Sequence, residues 1–162
     1  MTEVACSGLQ PEAVAGEGRP VVRFVPANAY SLAMTYDLAV WEGDCPDESA
    51  AAATFVALYD RYLGGDDPRR IPPTPAIRAY VESLLDRWYE MGDPRDIDDT
   101  SPWSDAPLMN NAQGPIIYFA MRYSMADEVS AACAQMAAER GLVCFDVQWN
   151  QLRPTAEEHL PA

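Results

Sequence analysis

Lysine is missing from this chain: every one of its eleven basic residues is an arginine. Together with the abundant alanine, that is the mark of codon bias in a GC-rich genome. It also removes several chemistries at once, because a phosphate-loop lysine, a Schiff-base lysine and a Ser-Lys dyad all require the ammonium group. Histidine is nearly absent too. The single one, His159, lies in the C-terminal tail, badly placed for a nucleophile–base–acid arrangement, and no G-x-S-x-G turn accompanies it. Positive charge is scarce overall, leaving a formal net charge of −14 over 162 residues. Such a surface repels phosphate backbones and disfavours nucleic-acid binding, whereas it attracts a basic protein partner.

Other absences narrow the class further. No run approaches the roughly 20 apolar residues of a membrane span. The first thirty residues contain three acidic groups and no apolar core flanked by basic residues, so no secretory signal is visible. The four cysteines, Cys6, Cys45, Cys133 and Cys144, form no C-x-x-C pair and have no nearby histidine, which argues against zinc. Cys133 and Cys144 fall on apolar positions, and the set reads as the reduced, buried cysteines of a cytoplasmic protein. No cofactor motif is present.

What is there is a globular composition, 49% apolar, in a length suited to one domain. Residues 1–33 are rich in Gly, Ala and Pro and read as a flexible leader, or as the product of an upstream start with native translation beginning at Met34. Within them only Val21–Val25 resembles a strand. Residues 34–153 form the expected domain and 154–162 a frayed tail.

Six elements are predicted between those limits. Thr35–Trp41 is a strand. A helix opens at Pro46, with Asp47 and Glu48 at its positive end, and stops at Gly64-Gly65. Thr74-Pro75 pairs an N-cap with a proline at the first helical position, and Ile77, Tyr80, Val81, Leu84, Leu85 and Trp88 then follow at helical spacing up to Gly92. Gly114–Gln148 reads as a β-α-β unit. Its strands are Ile116–Tyr123 and Leu142–Val147, its helix is capped by Ser124 with Asp127 three residues on, and Gly141 is the stop. The expected fold is therefore α+β: a small mixed sheet of three to four strands with helices packed on it.

Between Asp93 and Gly114 lies the longest stretch without periodicity, and loops of this length are usually functional or disordered. It carries Asp93, Asp96, Asp98, Asp99 and Asp105 together with Trp103, which is bracketed by Pro102 and Pro107. The candidate partner-binding residues are Asp96, Asp98, Asp99, Trp103 and Asp105, with the carboxylates steering association and the tryptophan as anchor.

Several chemical patterns touch the same loop and fail. Asp96-Ile97-Asp98-Asp99-Thr100 resembles the D-x-D-x-T signature of haloacid-dehalogenase-type phosphatases, but that family sets it directly after a hydrophobic strand and needs a lysine. The EF-hand pattern lacks its turn glycine and its terminal glutamate. Asp37 and Asp146 interrupt apolar strands. They would form a paired-carboxylate site if they met at one end of the sheet, and solvent-facing strand residues if they did not.

YDLAVWE, SPWSDAPL, YSMADEV and GLVCFDVQ, spread over residues 34–153, resemble a group of small bacterial proteins from GC-rich organisms, some of which are similar to immunity partners of polymorphic toxins. The resemblance implies a non-enzymatic module that neutralises a basic toxin or enzyme, and it designates no catalytic residue. Two alternatives stand beside it: a metal-assisted hydrolase using the acidic loop, and a structural or oligomeric accessory protein of undetermined stoichiometry.

Overall fold

The computed structural model describes residues 35–65 and 70–158. The segment 1–33, expected to be a leader or the product of an upstream start, the suspected strand at Val21–Val25 and His159 lie outside them. The elements run β1 (Thr35–Trp41), α1 (Glu48–Tyr62), α2 (Pro75–Arg87), β2 (Ala112–Gln113), β3 (Ile116–Arg122), α3 (Ala126–Glu139), β4 (Val143–Asp146) and β5 (Gln151–Arg153).

The α+β class holds, with a five-stranded sheet in the order β2-β3-β1-β4-β5. Every neighbouring pair is antiparallel, so the expected mixed sheet gives way to an antiparallel one. Strands β3 and β4 do run in the same direction, yet β1 lies between them, which makes β3-α3-β4 a split β-α-β unit. Being central explains the composition of β1: all but its first residue are buried, as a strand covered on both faces requires.

Alternation along β1 sorts the core into two layers. Tyr36, Leu38 and Val40 face α2 and α3, where Ile77, Tyr80, Val81, Leu84, Val129 and Cys133 are buried. Ala39 and Trp41 face α1 and meet Phe55 and Ala51, with Ile116, Val143 and Phe145 from the flanking strands. Burying such side chains contributes about 1.5–3 kcal/mol each. On α2 the predicted cap is real: Thr74 Oγ1 accepts from Ile77 N–H at 3.4 Å, and Pro75 opens the helix. The helix ends at Arg87, however, because Trp88 turns extended. The Ser124 cap on α3 does not form. The chain leaves β3 through a short 3-10 turn, Tyr123–Met125, which makes Met125 the first flanking residue of the helix. Asp127 and Glu128 do occupy its first turn.

Two segments gain structure that periodicity does not foretell. Gln151–Arg153 adds the edge strand β5, and the chain then turns at Thr155–Glu158, where Glu158 N–H donates to Thr155 O at 3.1 Å. The aperiodic stretch from 93 to 114 is ordered and closes the opposite edge of the sheet. Trp103 bridges Met121, Arg122 N–H donates to Pro102 O at 2.7 Å, and Ser104 N–H donates to Ala120 O at 3.1 Å. Free strand edges invite pairing with other chains, and this segment covers most of β3. Behind it comes the β2–β3 turn, where Gly114 has φ +53° and a Cβ would lie 2.8 Å from the Tyr62 ring. A larger residue there is strained and crowded at once.

Candidate functional site

The acidic loop is held from within by its own carboxylates. Asp96 accepts from Thr100 N–H at 2.7 Å, from Thr100 Oγ1 at 2.6 Å and from Ser101 N–H at 2.8 Å, closing a tight turn. Those bonds, the Thr100 hydroxyl first, hold its carboxyl below the usual range. Asp99 takes a left-handed backbone, φ 52°, and clamps Arg122 through two bonds of 3.0 and 2.6 Å, with the Arg122 hydrogen bonds lowering its pKa. Asp93 makes a forked pair with Arg95, which pulls its carboxyl down to about 2. Asp105 accepts from Asn111 Nδ2 at 3.0 Å. Of the five candidate residues only Asp98 forms no bond within the loop.

Trp103 does not serve as a surface anchor in this geometry. Its side chain is fully buried, edge-on to Trp88 at 5.6 Å and to Phe119 at 5.8 Å between ring centres. Pinning its backbone to β3 carries the indole inward. What the loop presents instead is Ile97, 90% exposed between Asp96 and Asp98, with the half-exposed Tyr89 and Met91 on the preceding segment. Arg95 lies over the Tyr89 ring at 5.2 Å. Ile97 thus offers an apolar side chain to solvent on a turn whose backbone is fixed by Asp96 and Asp99.

The paired-carboxylate reading is corrected by strand register. Leu38 stands opposite Asp146, so Asp146 shares the face of Leu38 and Tyr36, while Asp37 points through the other face. Each has its own surroundings. Asp37 accepts from Tyr118 Oη at 2.8 Å through Oδ2, and its Oδ1 is buried without a hydrogen-bond partner. Burial raises its pKa against the Tyr118 bond, and the charge of Asp105 adds to the rise. Burial and the neighbouring Asp37 in turn push the Tyr118 phenol up.

Asp146 is buried at the centre of a polar network. Tyr36 Oη donates to it, Trp149 N–H donates at 3.0 Å, and Arg153 Nη1 approaches at 3.3 Å. The same Arg153 atom donates to Ser130 Oγ at 2.7 Å, and the rest of the guanidinium is forked onto Glu158. Burial opposes the charge of Glu158, but the Arg153 and Thr155 hydrogen bonds together outweigh it and hold the carboxyl below its ordinary value. Above the network opens a cleft of about 700 Å³, lined by Asp127 and Ser130 from α3, Trp149 from the β4–β5 turn, and Arg153, Glu157 and Glu158. Tyr123 stands beside it, its ring 6.4 Å from that of Tyr36 and 65% exposed. Sequence reasoning singled out Asp146 and missed Ser130, Arg153 and Glu158. The available signal was an arginine just before Pro154 with a T-x-x-E pattern behind it, a capping-box spacing.

Among the described residues no group of three or more His, Cys, Asp or Glu side chains is placed to hold a metal ion. Cys133 and Cys144 are free and buried, as expected, whereas Cys45 is disulfide-bonded, which corrects the reading of four reduced thiols. None of the described helices is long and apolar enough to cross a membrane. Comparison with protein-family models, with curated proteins and with solved structures finds no match for this chain.

Proposed function

We propose that the protein is a non-enzymatic binding module for a basic protein, and that it acts as an immunity-type inhibitor of a toxin or enzyme. The observation that carries this reading is Ile97, held 90% exposed on a turn fixed by the bonds of Asp96 and Asp99. An apolar side chain presented on pre-ordered backbone can serve as a binding anchor, because little entropy is then lost on association. Asp98 beside it, within a chain of net charge −14, supplies the field that draws in a cationic partner. Asp96, Asp99 and Asp105 support the loop from inside, and Trp103 anchors it to the sheet.

The test is affinity capture from the lysate of the native host, eluted with rising salt and analysed by mass spectrometry. A single basic protein that is released as salt screens the charges, and whose activity is blocked by the purified chain, supports the reading. A column that retains only acidic or neutral proteins, independently of salt, contradicts it.

A further inference from the structure

The cleft above Asp146 differs from the loop in what its side chains leave undone. Inside it, the polar groups are already partnered: Arg153 is shared between Asp146 and Glu158, and Tyr36 and Ser130 complete the network. At the mouth the opposite holds. Asp127 on α3 and Glu157 on the C-terminal turn are exposed carboxylates with no hydrogen bond or ion pair among the described residues. Trp149 is 70% exposed and makes no ring contact there either.

We propose that this cleft binds an organic cation of the guanidinium or ammonium class, with its charge between Asp127 and Glu157 and its apolar stem against Trp149. The lining groups hold four carboxylates against one guanidinium, so an added positive charge is favoured. The exposed indole of Trp149 offers the stem an apolar surface that leaves water on binding. The positive end of α3 opposes a cation by about half a unit charge. Asp127 and Glu128 in the first turn supply two negative charges against it. A cavity of about 700 Å³ lies within the range of roughly 300–1,000 Å³ typical of small-ligand sites. The site does not depend on the Ile97 loop, although Arg122, clamped by Asp99, directly precedes Tyr123 at the cleft.

N-acetyl-arginine amide and its neutral isostere N-acetyl-citrulline amide are the probes, titrated at low ionic strength by isothermal calorimetry. Saturable binding of the arginine compound is expected, with at least a tenfold loss in Trp149→Ala and in the Asp127→Asn, Glu157→Gln double variant, and none in Ile97→Ala. Circular dichroism establishes that the variants are folded. Citrulline binding as well as arginine, or affinity unchanged in Trp149→Ala, overturns the proposal. A short arginine-containing peptide distinguishes the sources: much tighter binding than the amide assigns the site to a protein side chain, and equal binding assigns it to a small free cation.

Discussion

Arg153 on the edge strand β5 reaches across to Asp146 on β4, its Nη1 3.3 Å from Oδ2, in a place where Asp146 is wholly buried. The remaining guanidinium donors are taken by Ser130 and Glu158, so a three-residue strand, α3 and the C-terminal turn are joined through one cation. A buried pair of this kind costs about as much to desolvate as it returns, but removing one partner strands the other.

Arg153→Met is therefore expected to destabilise the domain by about 3–5 kcal/mol in urea denaturation, through the uncompensated carboxylate. The double variant Arg153→Met, Asp146→Asn should recover part of that loss. No recovery would show that Arg153 acts through packing alone.

Trp103→Ala is expected to cost about 3–5 kcal/mol, the range for deleting a buried aromatic side chain. The edge-on contacts with Trp88 and Phe119 vanish, and so does the anchor of the 93–105 loop. Acrylamide quenching offers a check without mutation: Trp149 should be accessible and Trp103 protected. Equal accessibility of the two would contradict the placement of the loop.

Asp37 and Glu158 respond to pH in opposite senses. Burial places the folded-state pKa of Asp37 above its unfolded value, so its favourable contribution is complete below the ordinary carboxylate range and is lost as pH rises through the raised value. Glu158 is held low, so its contribution is complete above the ordinary glutamate range and is lost as pH falls through the depressed value. Asp37→Asn should thus be more stable than wild type near neutral pH, with the gain shrinking on acidification. Glu158→Gln should be less stable near neutral pH, with the loss shrinking on acidification. Melting curves over a pH series read both.

Thiol reagents test the core chemically. Burial pushes the Cys133 thiol up to about 12 and the Cys144 thiol well above its usual value, so neither should react in the native protein. Both should become titratable in denaturant. Rapid native reaction of either would mean that the layer between α3 and the sheet opens readily.

Local pattern carried much of the architecture, and long-range pairing the rest. The helix from Pro75 was legible because its apolar residues repeat at 3.6 and its cap is chemically marked; β1 was legible because a strand buried on both faces is almost continuously apolar. The separation of Asp37 from Asp146 was not, since it depends on register: a shift of one residue between β1 and β4 would have placed them on the same face. Trp103 between prolines reads alike in a surface loop and in a segment pinned to a sheet edge, and only the bonds to Pro102 and Ser104 distinguish the two. Strand β5 is three residues long, too short to show alternation. Ile97 was visible as a residue, but its exposure follows from the turn that Asp96 and Asp99 fix through bonds to Thr100, Ser101 and Arg122.

Side-by-side capture by wild type and by Ile97→Asp, under identical low-salt conditions, tests most directly whether this loop is a recognition element. The variant keeps the turn, because Asp96 and Asp99 hold the backbone through bonds that Ile97 does not make. Binding of a basic partner by wild type, with at least a tenfold weaker affinity for the variant, is the expected result. Equal affinity of the two for the same partner would contradict the assignment of the loop.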